Sequence, residues 1–444
     1  LRIVAPGGEC RSELLLANAS EGKNAMPISD TFEQRLYPLL NTIASHYGTP
    51  FHIYDEIGIR ESGQRLVEAF NPVGRFREYF AVKALPNLRI LEIMRSLGFG
   101  FDCSSIPELV LSRMVGARGE DIMFTSNNTS RAEFAAAQAE GGSIVNLDDI
   151  SLIAKLDPFP ELISFRYNPG PRRTGNAIIG NPVEAKYGLR HEQIVDAYRQ
   201  AQARGARRFG LHTMVASNEL DHRHIAATAA MLLELAAEIG RQTDIRFEFL
   251  NIGGGIGIPY RPEQAPFDLD GLAAAVQAQF ATFKRENGYL PALYMECGRY
   301  ITGPHGVLVT RAINHKDIYR RYVGVDACMS ALMRPGMYGA YHHITVPARR
   351  NGAPSQVVDV VGALCENNDK FAVQRELPEI AEGDLLVIHD TGAHGHAMGF
   401  NYNGRLQPKE LLLQRDGTVA LIRREQTIDD YLATLNFAAD TLAP

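Results

Sequence analysis

Short apolar runs rich in β-forming residues alternate with longer helical segments from residue 78 to about residue 305, and this alternation restricts the fold more than any other feature of the chain. Parallel strands need a crossover between them, and a helix supplies one. The runs are Tyr79–Lys83, Gly98–Cys103, Ile122–Ser126, Ser143–Leu147, Leu162–Tyr167, Arg208–His212, Phe247–Ile252 and Ala292–Glu296. Eight βα units over roughly 230 residues fit a closed (β/α)8 barrel of the TIM type, an α/β fold, better than an open sheet. Segments such as Ile225–Ile239, nearly continuous in apolar residues with glutamates at intervals, carry the helical side of the pattern.

Beyond about residue 305 the helical patterns nearly vanish. The runs Val307–Ile313, Tyr322–Val325, Ile344–Val346, Val357–Val361, Leu385–His389 and Val419–Ile422 are separated by turn residues, which reads as a C-terminal all-β domain over 306–444. The run Phe51–Tyr54 has no barrel partner to spare and is assigned to the β domain or to the entry of the barrel, itself placed at 51–305. Residues 26–50 are expected to pack on the β domain. Residues 1–25 are polar and patternless and read as a leader or tag-like segment, with Met26 a candidate start.

Charge and cysteine usage narrow the partners. The 444 residues carry 45 Lys plus Arg against 51 Asp plus Glu, a formal charge of −6, so no basic balance calls for nucleic acid or an anionic membrane. Cys10, Cys103, Cys297, Cys328 and Cys365 are odd in number and form no C-x-x-C pair, which points away from a disulfide framework and towards a reducing cytoplasm. No apolar run approaches the roughly 18 residues of a membrane span. The expected partner is a small molecule.

In an α/β barrel the reactive groups sit where strands end and βα loops begin. Lys83 closes the first run in YFAVKA, where partial burial would favour a neutral, nucleophilic amine. The plainer reading is a lysine whose stem lies on the barrel while its ammonium reaches water. The seventh run leads into Asn251-Ile252-Gly253-Gly254-Gly255-Ile256-Gly257 and the eighth into Glu296-Cys297-Gly298-Arg299. Glycines in such loops let backbone N–H groups approach a phosphate, although a tight turn alone would also account for them. The G-x-G-x-x-G pattern fails and no G-x-x-x-x-G-K-[ST] exists, which disfavours a nucleotide fold. Glu296 beside a phosphate loop makes electrostatic sense if it answers a protonated pyridine nitrogen. A lysine for covalent attachment, an acid for the ring nitrogen and a glycine cradle are the parts that pyridoxal phosphate needs.

With these parts in view the chain resembles the meso-diaminopimelate decarboxylase family, barrel-type (fold type III) pyridoxal-phosphate enzymes related to the ornithine decarboxylases and alanine racemases. The matching segments are FAVKA around Lys83, FDCSS at 101–105, GLH at 210–212, GGG at 253–255, ECGR at 296–299, VDACMSALMRPGMYGAYHHI at 325–344, GALCEN at 362–367 and DTGAHGHAMGFNYNGR at 390–405, and the resemblance covers residues 47–435. It implies decarboxylation of meso-2,6-diaminopimelate to L-lysine, the last step of lysine biosynthesis, by a cytoplasmic homodimer whose active sites are shared across the interface. Carried over residue by residue, it implies that Lys83 holds pyridoxal phosphate covalently. His212, Gly253, Gly254, Gly255 and the loop Glu296, Cys297, Gly298 and Arg299 would bind the cofactor, and Tyr402 would touch both cofactor and substrate. Arg299, Arg334 and Tyr338 are implied for the carboxylate at the far, non-reacting end of the substrate and Glu366 for its far ammonium. A guanidinium fork and an anion are what such a substrate needs there. Cys365 is implied as the proton donor, supplied from the partner subunit. The alternatives are a decarboxylase of ornithine, lysine, arginine or carboxynorspermidine, or a non-catalytic homologue, and retention of Lys83, Cys365 and Glu366 together argues against the last.

Three positions depart from the family pattern. Many relatives read GLH-x-H-I-G-S, with the second histidine stacked on the pyridine ring, where this chain has Met214. A thioether packs on a ring face but neither ionises nor donates. Cys297 replaces the proline of the usual EPGR loop, and His394 stands where a tyrosine is common. His394 and His396 alternate as ligands on a strand face would, and His342 and His343 are adjacent, but no carboxylate or cysteine spacing completes a metal site and none is expected. Without a G-x-S-x-G elbow, a serine hydrolase is rejected. Cys103, Cys297 and Cys328 read as small buried residues, and Cys365, followed by Glu366 and the turn formers Asn367-Asn368-Asp369, as an exposed one.

Overall fold

Eight strands pair in parallel with their sequence neighbours, and the first pairs with the last, closing the barrel that the alternation predicts. The computed structural model describes residues 29–173, 180–349 and 354–435, and the segment 1–25 read as a leader lies outside them. The barrel strands are Phe76–Ala81, Gly100–Cys103, Gly119–Ser126, Ser143–Leu147, Leu162–Tyr167, Arg208–Thr213, Phe249–Asn251 and Ala292–Met295. Closure is through Phe76 against Leu293, Arg77 against Tyr294 and Glu78 against Met295. Strand Leu162–Tyr167 is buried at every position, because helices cover the outside of a parallel barrel while side chains fill its interior. The longest crossover helix, His222–Thr243, starts where Asp221 accepts from the Arg223 N–H and stops at Asp244 in the left-handed region, φ 58°. Between the fourth and fifth strands the crossover is a 3-10 helix, Ile150–Lys155, and not the α-helix that the alternation suggests. That connection is short and carries Pro158 and Pro160, which lack the N–H that a helix needs.

Rings plug the barrel where its strands begin. Tyr294 lies 4.9 Å from Tyr79 and 4.3 Å from Phe249 between ring centroids, with Met123, Ile144, Leu162 and Ala292 around them. The opposite, carboxyl end is left to hold a site.

Among the described residues, nine strands form the second unit. Along the main path they run Lys370–Pro378, Ser355–Val361, Arg321–Val325, Gly306–Asp317, Phe51–Asp55, Lys409–Leu413 and Val419–Arg423, with Ile344–Thr345 and Leu385–Ile388 paired to one side. Phe51–Asp55 lies antiparallel to Gly306–Asp317 and parallel to Lys409–Leu413. The early run thus belongs to the β sheet, and the placement of 51–55 in the barrel is corrected: the first element on the barrel side is the helix Glu56–Phe70. Helices Asp30–Leu36 and Leu40–Tyr47 cover one sheet face through Phe32, Leu36, Leu40 and Ile43, packed against Phe51, Ile53, Val307 and Leu411. Buried Glu410 fastens the sheet to the barrel by accepting from Tyr54 Oη (2.6 Å), from Asn87 Nδ2 (3.0 Å) and from Arg423. Among the described residues no helix is long and apolar enough to cross a membrane.

Candidate active site

A cavity of about 950 Å³ opens at the carboxyl end of the barrel. Lys83, Asp102, His212, Met214, Glu296 and Arg299 line it from the barrel, and Arg334, Tyr338, His394 and Met398 from the β domain. The first strand stops at Ala81, so Lys83 does not close it. The lysine sits in a 3-10 turn, Val82–Ala84, that is tied to the β domain by the His394 N–H donating to the Ala84 carbonyl (2.9 Å). Its side chain is 52% exposed within the cavity, so the burial expected at a strand end is absent. An acid is its charged neighbour instead: Nζ lies 4.0 Å from Asp102 Oδ2.

Two buried acids near Lys83 part company. Burial and the neighbouring Glu296 push the Asp102 carboxyl well above the ordinary range. Burial acts the same way on Glu296, but His212, Lys83 and the Asn251 amide outweigh it and hold that carboxyl below the ordinary range. Glu296 is the site's anion. Asn251 Nδ2 donates to Glu296 Oε1 at 2.8 Å, and His212 Nε2 stands 3.3 Å from the same oxygen without hydrogen-bonding geometry. Behind them, Cys297 N–H donates to Glu78 at 2.5 Å, a bond that proline could not make, and burial followed by its acidic neighbours raises Glu78 to about 8.

The glycine run is tighter than a simple phosphate cradle. Gly253 N–H is taken by Asn251 Oδ1 (2.8 Å) and Gly254 N–H by the Met214 sulfur (3.2 Å). Gly255, at φ +99°, is the member of the three that lines the cavity. A Cβ on Gly254 would lie 2.2 Å from the Glu296 carbonyl oxygen, so the close packing of the two loops requires glycine there. These residues fit pyridoxal phosphate: an amine on Lys83, an ionised acid for a pyridinium nitrogen, a cavity-facing glycine, an apolar thioether for a ring face, and both nitrogens of buried His212 without a hydrogen-bond partner.

The other side of the cavity is basic. Arg299 and Arg334 both donate to Tyr260 Oη, Arg334 at 2.8 Å, and neither has a carboxylate within ion-pair distance among the described residues. Asp390 feels Arg334 but burial pushes its carboxyl well above the ordinary range. Arg334 Nη1 also lies 3.1 Å from His342 Nε2. His342 is fully buried, and burial first and Arg334 second bring it down to about 3.

Cys365, Glu366 and Tyr402 lie outside the cavity lining of their own chain. Cys365 and Tyr402 are exposed, and the Cys365 N–H donating to Asn403 Oδ1 (2.8 Å) joins their two loops. Cys103, Cys297 and Cys328 are buried, as expected. Sequence reasoning gave no site role to Asp102, Asn251, Tyr260 or His342. Asn251 and Tyr260 flank the glycine run and Asp102 lies one residue before a strand end, so a signal was present for these three, but Glu296, Lys83 and the two arginines that they meet come from other segments.

Residues 58–303 match the model of the pyridoxal binding domain of the pyridoxal-dependent decarboxylases. Protein TabA of Pseudomonas amygdali pv. tabaci is 48% identical over 412 residues, 93% of this chain and 97% of that protein. Diaminopimelate decarboxylase of Methanothermobacter thermautotrophicus is 37% identical, over 90% of this chain and 94% of its own. Among solved structures, diaminopimelate decarboxylase of M. jannaschii in complex with L-lysine superposes with a TM-score of 0.83 at 29% identity, covering 89% of this chain and 94% of that one.

Proposed function

The chain belongs to the family of pyridoxal-dependent decarboxylases, and from that premise we propose that it converts meso-2,6-diaminopimelate to L-lysine and carbon dioxide, serving lysine biosynthesis in the cytoplasm. It is a carboxy-lyase with pyridoxal phosphate as cofactor. The observation that carries the substrate reading is the pair Arg299 and Arg334, joined on one hydroxyl in the same cavity as Lys83 and without a carboxylate of their own. A substrate with an amino-acid group at each end brings that carboxylate.

When bound, pyridoxal phosphate supplies the electron sink for cleavage of the bond between the α-carbon and its carboxylate. Lys83 offers the amine that holds it, Glu296 the charge that keeps a ring nitrogen protonated, Gly255 a backbone approach for phosphate and Met214 an apolar contact for a ring face. Arg299 and Arg334 bind the far carboxylate and so choose which end of the substrate reacts. Cys365 gives its thiol proton to the carbon that has lost its carboxylate, and Glu366 accepts the far ammonium. Since both lie outside their own cavity, they act in that of a second copy across a two-fold interface, with Tyr402 beside them.

Met214, Cys297 and His394 all line the cavity and all depart from the family pattern, which favours, as a second reading, decarboxylation of ornithine, lysine, arginine or carboxynorspermidine. Carbon dioxide release from these compounds and from meso-diaminopimelate by the purified holoprotein separates the two. Fastest turnover of diaminopimelate supports the first reading, and its absence beside turnover of another amino acid establishes the second.

A further inference from the structure

Arg299 comes from the short helix Gly298–Thr302 after the eighth barrel strand and Arg334 from the β domain, and Tyr260 is where they meet. Accepting from both guanidiniums occupies the hydroxyl oxygen and leaves its own proton to give. Among the described residues no acceptor takes that proton, and Tyr260 forms part of the cavity wall. Arg334 is held from a second side by His342. His342 Nδ1 lies 2.7 Å from the His389 carbonyl, which can only accept, so Nδ1 carries the hydrogen and Nε2 is a bare acceptor for Arg334. A carboxylate in that place would neutralise the guanidinium it held. A neutral imidazole orients the guanidinium and leaves its charge for a ligand.

We propose that Tyr260 is a further donor to the far carboxylate of the substrate, between Arg299 and Arg334, and that His342 is the positioning residue that aims Arg334 at it. Which compound brings the carboxylate rests on the diaminopimelate reading, whereas convergence of two guanidiniums and a hydroxyl with no acid to answer them does not.

Tyr260→Phe keeps the ring and removes the hydroxyl. It should raise KM for meso-diaminopimelate about 10- to 100-fold with kcat within about threefold of wild type. L-lysine, which retains the far carboxylate, should bind less tightly by a similar factor. Cadaverine, the same diamine without carboxylates, should bind as before. His342→Gln, which retains an acceptor, should keep KM within about fivefold, and His342→Leu should raise it as Tyr260→Phe does. Equal losses for cadaverine, or for Gln and Leu alike, would assign Tyr260 and His342 a merely structural role and overturn the proposal. A readout without turnover is protection of Arg334 from phenylglyoxal by pimelate, followed by mass spectrometry. The variant Tyr260→Phe should need about tenfold more pimelate than wild type, or more. If wild type does not decarboxylate diaminopimelate but protection depends on Tyr260, the substrate reading fails and the carboxylate receptor stands. If protection is the same in both proteins, the receptor fails whatever the substrate.

Discussion

Asn251 joins the acid to the glycine loop, and its replacement gives a graded test of the electrostatics. It is fully buried, donates to Glu296 Oε1 at 2.8 Å and accepts from Gly253 N–H at 2.8 Å. Asn251→Ala removes a hydrogen bond to a charged group, about 1.5–3 kcal/mol, and orphans a buried N–H at about 1–3 kcal/mol. The first of these falls on Glu296, so affinity for pyridoxal phosphate should drop about 10- to 150-fold. The second falls on folding. Asn251→Asp keeps an acceptor for Gly253 but sets a second carboxylate against Glu296. At the observed 2.8 Å, two unit charges repel by about 6 kcal/mol at an effective dielectric constant of about 20. One carboxyl will take a proton to relieve this, and Glu296 then no longer serves as a full anion. Affinity should therefore fall in the order wild type, Ala, Asp at neutral pH. The assay is absorbance titration of apoprotein with pyridoxal phosphate, with circular dichroism to verify the fold. Wild-type affinity in Asn251→Asp at neutral pH would refute the assignment of Glu296 as the site's anion.

Three further outcomes are expected. Arg334→Ala should lower kcat/KM for meso-diaminopimelate by about 10- to 150-fold, as loss of a charge-assisted pair requires, and an unchanged value in steady-state assays would remove this substrate from consideration. Mixing inactive Lys83→Ala with inactive Cys365→Ala should restore activity up to about a quarter of the wild-type level, since about half the dimers are mixed and each regains one intact site; a mixture that stays inactive after verified subunit exchange would mean that the sites are not shared. Buried His305, whose Nε2 pairs with Ser62 Oγ at 2.7 Å, is brought down to about 4 by burial. Its folded pKa lies below the unfolded value, so its contribution is complete above about pH 6.5 and is lost as pH falls through about 4. Between about pH 7.5 and about pH 5, wild type should lose about 2 kcal/mol that His305→Gln does not, and urea unfolding with parallel pH slopes would contradict this.

The barrel was legible because each strand and helix declares itself over a few residues: unbroken apolar runs for strands buried on both faces, and a 3.6-residue apolar stripe for the helices outside them. The Lys83 loop, the glycine run and the Glu296 loop were legible too, since a barrel carries its chemistry at strand ends. Strands Lys370–Pro378 and Lys409–Leu413 were not. The first runs from Phe371-Ala372-Val373 into Gln374-Arg375-Glu376, and the second opens on Lys409 and Glu410, buried against Glu425, Arg423 and, for Glu410, the sequence-distant Tyr54 and Asn87. That Phe51–Asp55 pairs in parallel with a strand more than 350 residues away has no local signature. Nor has the meeting of Arg299 and Arg334 on Tyr260, or the tautomer that the His389 carbonyl imposes on His342. Periodicity and turn chemistry are short-range properties and can be read from the chain. Which buried polar groups satisfy one another depends on how the barrel and the sheet dock, and there the choice falls to whichever arrangement leaves fewest of them without a partner.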